Sequence, residues 1–259
     1  MQLTIIGAGN MGGAIAQGLF KHKTAGDNLQ IVVANPGQAK RDAIAPFCDA
    51  TFADNAQAAA NADIILIAVK PWLVDRVIAD IRPIISQRSP IIVSVAAGVT
   101  IERLQEQLGQ QLPTFRVIPN TAISIAESMT LIAHQDTNDE QNKLIGSLFE
   151  KLGKILFIPE SLMNAGTALT SCGIAYALRY IRAATEGGVE MGFPAAQAKE
   201  MVAQILIGAA QLILQNNSHP EVEIDKVTTP GGITIKGLNA MEAEGFTNAV
   251  IKGLKASLI

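Results

Sequence analysis

The chain has 259 residues, of which 49% are hydrophobic and 17% are charged. At ~150 residues per domain this length predicts one to two folded domains, and the composition excludes an intrinsically disordered chain. A formal charge of −3 and an aromatic fraction of 4% argue against a nucleic-acid binder, which needs basic and stacking surfaces. The two cysteines, Cys48 and Cys172, exclude a disulfide scaffold and a cysteine-rich zinc site, and they are typical of a reducing compartment.

The apolar runs are too short to cross a membrane. The densest of them, Ile64–Val69, lies between Asp63 and Lys70 and falls far below the ~20 residues that a spanning helix needs. The first residues lack the charged region of a secretory signal and lead directly into a glycine motif. We therefore expect a cytoplasmic protein without a membrane segment.

Short β-branched runs alternate with helical patterns in the first 160 residues. The predicted strands are Leu3–Ile6, Ile31–Val33, Ile64–Val69, Ile91–Val95, Phe115–Ile118, Thr130–Ala133 and Ile155–Ile158. Nearly unbroken apolar strands with helices between them indicate an α/β fold with a mostly parallel sheet covered on both faces. Thr137 to Glu140 fit a capping box that opens a helix ending near Gly153.

Helical patterns replace strands after Pro159. The predicted helices cover 161–191 (one long helix or two abutting ones), 194–215, 233–244 and 247–258. We place the domain boundary near residue 160, which gives a sheet domain over 1–160 and an all-helical domain over 161–259. The helix at 194–215 is apolar over a wider face than a surface helix needs, which favours a two-fold subunit interface in this domain. Packing of these helices against the chain's own sheet domain alone is the alternative.

A glycine motif, Gly7-Ala-Gly9-Asn-Met-Gly12, follows the first strand and opens a helix. Its first glycine permits the tight turn, the second lets the backbone approach a pyrophosphate, and the third lets helix and strand pack closely. The free N–H groups of the helix start favour the phosphates. The motif predicts a Rossmann-type dinucleotide-binding domain.

The end of the second strand bears on the choice of dinucleotide. An NAD site usually has an acidic residue there for the ribose hydroxyls, whereas this chain has Asn35 followed by Pro36. Lys40 and Arg41 follow one helical turn later. We expect NADPH to be preferred, with NADH as the other possible donor. The alternative is that Lys40 and Arg41 are only a solvated helix start.

Other strand ends offer further candidates, because ligands of open α/β sheets bind at the carboxyl ends of the strands. Lys70 could act as an acid, contact a phosphate, or simply be a solvated boundary residue. Asn55 could cap a helix or contact a ribose. Asn120 is expected to place an amide near the same crevice.

The stretch Val227–Thr234, which reads VTTPGGIT, precedes a helix in the second half. Exposed backbone N–H groups there would form an anion site for a substrate carboxylate, or the stretch is an ordinary Pro-Gly turn with threonine caps. The three histidines lie in no catalytic motif. Hydride transfer does not need one, because the nicotinamide carries the chemistry.

Taken together and in order, six motifs resemble pyrroline-5-carboxylate reductase over essentially the whole chain. They are GAGNMG, AVKP, VAAGV, RVIPNT, TALTSCGIAY and HPEVEIDKVTTPGGIT. The resemblance implies a Rossmann domain joined to a helical dimerisation domain, a homodimer that often assembles into a homodecamer, and a substrate site completed by the partner subunit. It also implies NAD(P)H-dependent reduction of pyrroline-5-carboxylate to L-proline, the last step of proline biosynthesis, without a metal.

The resemblance also implies the site residues. Those near the pyrophosphate are Ile6, Gly7, Ala8, Gly9, Asn10 and Met11, and those near the adenosine ribose are Asn35 and Asn55. Those near the nicotinamide half are Ala68, Val69, Lys70, Pro71, Ala96, Ala97 and Gly98. Those at the substrate are Thr229, Gly231, Gly232, Ile233 and Thr234. Backbone N–H groups of Gly232 and its neighbours would hold the carboxylate, and the Thr234 hydroxyl, the catalytic candidate, would lie near the ring nitrogen.

The chain departs from the family pattern at Ile174, where a proline is usual, and at Ile233, where a small residue or threonine is usual. These changes predict a straighter helix and a narrower pocket. Two alternatives follow. One is a related β-hydroxyacid dehydrogenase, although no catalytic lysine lies around Ser171–Gly173. The other is a non-catalytic NADP-binding scaffold whose substrate pocket has drifted.

Overall fold

The computed structural model describes residues 1–24 and 26–258. The chain divides into two compact units, Met1–Ser171 and Cys172–Leu258. No helix within these described residues is both long and apolar enough to cross a bilayer.

The first unit is built on one eight-stranded sheet. Its strands are β1 (Gln2–Ile6), β2 (Gln30–Ala34), β3 (Ala50–Phe52), β4 (Ile64–Ile67), β5 (Ile91–Ser94), β6 (Thr114–Ile118), β7 (Ser128–Gln135) and β8 (Gly153–Phe157). The strand order is β3-β2-β1-β4-β5-β6-β7-β8. All neighbours are parallel except β6 and β7. The seven predicted strands are confirmed, and the three-residue edge strand β3 is an addition.

Both faces of the sheet are buried, as predicted. Along β4, Ile64 and Leu66 point into one apolar cluster and Ile65 and Ile67 into another, because successive side chains alternate between faces. All four side chains are at most 2% exposed. This double burial explains the unbroken apolar runs in the sequence.

Helices and short turns connect these strands. The helices are α1 (Asn10–Lys21), α2 (Gln38–Ile44), α3 (Asn55–Ala59), α4 (Val74–Ile85), α5 (Ile101–Leu108), α6 (Asp139–Glu150) and α7 (Met163–Gly166). Turns of 3₁₀ helix lie at Ala45–Phe47, Pro71–Leu73, Thr121–Ile125 and Glu160–Leu162. The sheet with its intervening helices has the predicted Rossmann-type architecture.

The capping box of α6 is shifted by one residue from the prediction. The Asn138 side chain accepts from the Gln141 N–H at 2.9 Å, and the Gln141 side chain accepts from the Asn138 N–H at 2.9 Å. Thr137 instead uses its hydroxyl in contacts with His134 and Asn142. The helix ends at Glu150, short of the expected position near Gly153, because Gly153 already starts β8.

The predicted helix at 161–191 is not a regular α-helix. After α7, Thr167–Cys172 form a π-helical segment, and α8 follows from Gly173 to Glu190. Two threonine hydroxyls bond back to their own chain, Thr167 to the Met163 carbonyl at 2.7 Å and Thr170 to that of Gly166 at 3.0 Å. Such back-bonding is known to bend helices. Ile174 itself lies in the first turn of α8, after the π-helical segment, and the expectation that it straightens the helix there stays a prediction.

The second unit is helical throughout its described residues. Its helices are α8 (Gly173–Glu190), α9 (Ala195–Asn216), α10 (Pro220–Lys226), α11 (Ile233–Ala243) and α12 (Phe246–Ala256). Gly188 of α8 lies against Ala198 of α9, so close that a methyl group on Gly188 would be 2.8 Å from the Ala198 methyl carbon. The helix α10, seven residues long and beginning at Pro220, was not predicted from the sequence.

Candidate active site

One open cleft of about 670 Å³ lies at the carboxyl ends of the central strands of the first unit. It is lined by Gly7, Gly9, Asn10, Met11, Ala14, Asn35, Lys40, Ala68, Val69, Lys70, Pro71, Leu73, Val95, Ala97, Thr121, Ile123 and Ser124. These residues follow β1, β2, β4, β5 and β6. The cleft spans the point where the strand order reverses at β1, which is where open α/β sheets bind their ligands.

The glycine motif shapes the centre of this cleft. Gly7 has a φ of +110°, and a side chain on it would lie 2.5 Å from the Ala68 carbonyl oxygen. Gly9 is different, because a Cβ there would meet no atom within 4 Å. Gly9 begins α1 without a capping side chain, and the first turn holds no acidic residue. The N–H groups of that turn therefore have no partner within the helix and face an open cradle.

The charges of the cleft suit an anion. Lys40 and Lys70 are the charged side chains among its described lining residues, and no carboxylate lines it. The chain as a whole is mildly acidic, with a formal charge of −3, whereas the two charged residues that line the cleft are both cations. The residues fit a phosphate-bearing dinucleotide, with an open cradle at Gly9 for the pyrophosphate.

Asn35 anchors the turn that follows β2. Its side chain is 9% exposed, and its Oδ1 accepts a hydrogen bond from the Ala8 N–H at 3.2 Å. Its own N–H donates to the Phe52 carbonyl at 3.0 Å. Asn35 thus ties the glycine loop to β3 without adding a negative charge to this end of the cleft.

Lys40 and Arg41, the two cations that follow Asn35, have different partners in the structure. The Arg41 guanidinium donates to the carbonyl oxygens of Asn35 and Pro36 at 2.7 Å each, and it also bonds to the Gln38 side chain. Arg41 therefore braces the β2–α2 turn. Lys40 lines the cleft and makes no hydrogen bond or ion pair with another described residue.

Several predicted cofactor residues lie beside the cleft rather than on its wall. Ile6, Ala8, Ala96 and Gly98 belong to the right strand ends but are not among the lining residues. Asn55 is absent from the lining too, and its amide donates to Asp80 at 2.9 Å. The cap of α3 is Asp54, which accepts from the Gln57 N–H at 2.8 Å, so the expectation that Asn55 caps this helix was wrong.

Part of the wall of the cleft was not predicted from the sequence. Ala14, Leu73, Val95, Thr121, Ile123 and Ser124 line the cleft without having been predicted. The RVIPNT motif, which ends in Thr121, was the available signal. Its Asn120 is 7% exposed and turns inward, where it caps the following turn by accepting from the Ala122 N–H at 2.9 Å. It does not place its amide on the described wall of the cleft.

The glycine turn of the stretch Val227–Thr234 belongs to the second unit. Gly231 has a φ of +70°, and Gly232 precedes α11. The Gly232 N–H donates to the Thr229 carbonyl at 2.9 Å, so it is not free to bind an anion, contrary to its expected role. The N–H groups of Ile233, Thr234 and the next residue lie in the first turn of α11, where no helical carbonyl is available to them. The Ile233 side chain is 87% exposed.

The helix that leads into this turn is held by its own side chains. Lys226 donates to the Glu223 carboxylate at 2.7 Å, and Ser218 also bonds to it, which together lower the pKa of Glu223. The Thr228 hydroxyl donates to the Ile224 carbonyl at 2.7 Å. These contacts fix where the chain leaves α10 and enters the glycine turn.

No metal centre is evident among the residues that the structure describes, since no three histidine, cysteine or acidic side chains come together. The three histidines remain apart. His22 bonds to the Gly18 carbonyl at 2.8 Å, and His219 caps α10. His134 contacts the rings of Phe115 and Phe157.

Comparison with known proteins gives matches in both halves of the chain. Residues 160–258 match the family described as pyrroline-5-carboxylate reductase dimerisation. Residues 2–98 match the family described as NADP oxidoreductase, coenzyme F420-dependent.

Relatives that match nearly the whole of this chain are named pyrroline-5-carboxylate reductases. Pyrroline-5-carboxylate reductase 1 of Dictyostelium discoideum is 39% identical over 98% of this chain, which spans 48% of that protein. Pyrroline-5-carboxylate reductase of a Synechocystis species is 35% identical over 99% of this chain and 96% of the relative. A crystal structure of Plasmodium falciparum pyrroline carboxylate reductase with NADP bound matches with a TM-score of 0.88 and 26% identity, covering 100% of this chain and 95% of that one. The chain therefore belongs to the pyrroline-5-carboxylate reductase family of oxidoreductases.

Proposed function

We propose that the chain reduces 1-pyrroline-5-carboxylate to L-proline with NADPH, as the last step of proline biosynthesis. The observation that carries this proposal is the cleft at the strand ends, which combines the open cradle at Gly9 with Lys40 and Lys70 and has no carboxylate on its described wall. Membership of the family supplies the substrate, because the relatives are named for that reaction.

The cofactor is assigned to the first unit. The N–H groups of Asn10 and Met11, in the first turn of α1, would hold the pyrophosphate. Lys40 lies after β2, on the side that receives the adenosine ribose, and Lys70 adds a second cation at the end of β4. When bound, the reduced nicotinamide would supply a hydride to the carbon of the substrate's C=N bond, while the π electron pair of that bond passes to the nitrogen, which takes one proton to become the amine.

The substrate is assigned to the glycine turn before α11. The free N–H groups of Ile233 and Thr234 would hold the carboxylate, since the Gly232 N–H is already used by Thr229. The Thr234 hydroxyl makes no hydrogen bond with another described residue and is available for the ring nitrogen. Thr229, Gly231 and Gly232 shape the turn. These residues bind and orient the imine, which is most of what its reduction requires of a protein.

A preference for NADPH over NADH rests on the turn after β2. An NAD site usually offers a carboxylate to the ribose hydroxyls at this point, and Asn35 replaces it here. The uncharged side chain and the free ammonium group of Lys40 favour a ribose that carries a 2′-phosphate.

A homodimer through the C-terminal helices is the assembly that we propose, with the partner subunit completing the substrate site. Near its start α9 packs against Gly188 of α8 through Ala198, whereas five other apolar side chains of α9 are 44–59% exposed in the single chain (Met201, Ile205, Ile207, Leu212 and Leu214). Burial of such a surface between subunits is strongly favourable. A decamer of these dimers is the larger assembly that the family resemblance implies.

The proposed domains are a Rossmann domain over 1–160 and a helical dimerisation and substrate domain over 161–259. The family match that begins at residue 160 supports this boundary, and the compact units of the chain part eleven residues later, after Ser171. The proposed compartment is the cytoplasm, because Cys48 and Cys172 are both free thiols that suit a reducing environment.

Initial rates of NADPH and NADH oxidation by the purified chain, with pyrroline-5-carboxylate as substrate, test this function. We expect turnover with both donors and a higher kcat/KM for NADPH. Turnover with NADH alone would keep the reaction and contradict the role given to Asn35. Tight cofactor binding without turnover would favour the drifted scaffold, and turnover of a β-hydroxyacid but not of the cyclic imine would favour the dehydrogenase.

A further inference from the structure

The 3₁₀ turn Thr121–Ile125 forms a wall of the cofactor cleft that neither the glycine motif nor the strand ends predicted. It follows β6 and contributes Thr121, Ile123 and Ser124 to the lining. The Ser124 hydroxyl is used locally, since it donates to the Thr121 carbonyl at 3.1 Å. The Thr121 hydroxyl makes no hydrogen bond with another described residue, so it is the free polar group that this turn offers.

A buried polar network holds the turn from below. The Asn120 side chain accepts from the Ala122 N–H at 2.9 Å and donates to the Thr170 carbonyl at 3.3 Å. The Asn120 N–H donates to the Ser128 hydroxyl at 3.1 Å, which also accepts from Thr130 at 3.0 Å. Asn120, Ser128 and Thr130 are at most 7% exposed. Satisfied polar networks of this kind fix a single backbone arrangement.

Apolar packing holds the same turn from the side. Ile123 is fully buried in the cluster that includes Ile15 and Leu19 of α1. The helix that offers its first turn to the phosphates is therefore in contact with the turn that carries Thr121. We expect this wall to be rigid, so that the distance between the turn Thr121–Ile125 and the glycine motif is fixed.

The strand order gives the wall its place along the cofactor. The adenosine ribose lies beyond β2, beside Asn35 and Lys40, and the pyrophosphate lies at α1 beyond β1. Since β6 lies on the opposite side of β1 from β2, beyond β4 and β5, its end meets the other half of the dinucleotide. We infer that Thr121 is a binding residue for the nicotinamide half, through its ribose hydroxyls or carboxamide, and that Asn120 is the positioning residue that holds it there.

This inference rests on the proposed cofactor site but not on the identity of the substrate. A hydroxyl group supplies one donor and two acceptors, which suits both the carboxamide and the ribose hydroxyls. The test is a comparison of NADPH with 2′,5′-ADP, which keeps the adenosine half and its 2′-phosphate and lacks the nicotinamide half. Calorimetry measures both dissociation constants on the full chain, so no turnover is needed.

For Thr121→Ala we expect the Kd of NADPH to rise about 5- to 10-fold, the effect of one lost hydrogen bond, while the Kd of 2′,5′-ADP stays unchanged. Thr121→Ser should restore NADPH binding, and Lys40→Gln, at the other end of the cleft, should weaken both ligands. Asn120→Ala should weaken NADPH selectively as well, with its Tm reporting the cost to the fold. If Asn120→Ala does not fold, Thr121→Ala still decides the binding role.

Two results would overturn the inference. One is a Thr121→Ala variant that binds NADPH as the unmodified chain does. The other is an equal loss of affinity for NADPH and 2′,5′-ADP, which would place Thr121 against the adenosine half or show a general disturbance of the cleft. Selective loss of NADPH binding in Thr121→Ala supports the inference even if the unmodified chain does not reduce pyrroline-5-carboxylate. A failure to reduce that substrate would contradict only the proposed reaction.

Discussion

Gly12 approaches Gly7 so closely that a methyl group on Gly12 would lie 2.0 Å from the Gly7 carbonyl oxygen and 2.9 Å from the Ala68 side chain. This contact seats α1 on the ends of β1 and β4 and so directs the first turn of the helix into the cleft. Gly9, three residues earlier, has open space instead, since a methyl group there would meet no atom within 4 Å. The two glycines of one motif therefore have different roles. Gly12 allows the helix to pack closely on the strands, and Gly9 leaves room for a ligand to approach the backbone.

Substitution by alanine should separate these two roles. Gly9→Ala should fold normally, because its φ of −79° and ψ of −170° suit any residue and its methyl group meets no protein atom. We expect it to weaken NADPH binding about tenfold or more by displacing the pyrophosphate. Gly12→Ala should lower the free energy of unfolding by about 1–3 kcal/mol, because backbone must move to admit the methyl group.

Thermal denaturation and cofactor titration of both variants test this pair. Trp72, the one tryptophan of the chain, follows Pro71 at the edge of the cleft and provides a fluorescence signal for bound NADPH. A Gly9→Ala variant that binds NADPH normally would contradict the position assigned to the pyrophosphate.

Substitutions of the neighbouring residues Lys40 and Arg41 test which of them makes the chain select NADP⁺ over NAD⁺. Lys40→Gln should raise the Kd of NADP⁺ by about 5- to 10-fold and leave that of NAD⁺ unchanged, because only NADP⁺ carries the 2′-phosphate. Arg41→Gln should weaken both ligands by the same factor, because Arg41 holds the turn through the carbonyls of Asn35 and Pro36. The difference in the Kd of NADP⁺ between the unmodified chain and Lys40→Gln should become smaller as salt is added, because salt screens the interaction of the lysine with the phosphate. Loss of NADP⁺ binding alone in Arg41→Gln would reverse the assignment.

Thr234→Ala tests the hydroxyl assigned to the substrate. We expect kcat/KM for pyrroline-5-carboxylate to fall about 5-fold, the equivalent of one hydrogen bond of about 1 kcal/mol. Thr247→Ala is the matched control, since Thr247 is also the second residue of a helix that follows a glycine and its hydroxyl already bonds to Glu242 at 2.8 Å. An unchanged kcat/KM in Thr234→Ala would remove Thr234 from the site.

Asp27 should make the first unit sensitive to acid. Its carboxylate bonds to Lys151 and accepts from the Thr24 N–H and hydroxyl at 2.8 and 2.9 Å, and these contacts, the one with Lys151 above all, lower its pKa from 3.8 to about 2. A group with a lowered pKa in the folded state stabilises the fold above its ordinary pKa and loses that effect as the pH falls through the folded value. The contribution of Asp27 is therefore complete above about pH 4 and disappears towards pH 2.

Melting curves of the unmodified chain and of Asp27→Asn between pH 7 and pH 2 measure this contribution. The two should differ in Tm at neutral pH and converge as the pH falls from about 4 to about 2. Glu106→Gln, at an exposed side chain without a hydrogen bond to another described residue, is the control and should change Tm little at either end. A constant difference between Asp27→Asn and the unmodified chain would contradict the role of the Asp27 charge.

The sheet, the glycine motif and the family can be recognised in the amino-acid sequence without the folded structure. A strand buried on both faces must be apolar at every position, so Ile64–Ile67 is visible without any knowledge of its neighbours. The motif is visible for a similar reason, because Gly7 needs a positive φ and Gly12 a close contact within a few residues. The missing carboxylate after β2 is likewise a local feature of the sequence.

Which polar groups remain free for a ligand depends on contacts that form only in the folded chain. Lys40 and Arg41 are adjacent in sequence, and only the fold of the β2–α2 turn gives Arg41 its three partners and leaves Lys40 open to the cleft. Thr121 joins the cleft because β6 ends beside β5, while Asn120 next to it turns inward to meet the distant Thr170. Contacts between segments that are far apart in the chain decide which polar groups are already hydrogen-bonded, and a local sequence pattern does not contain that information.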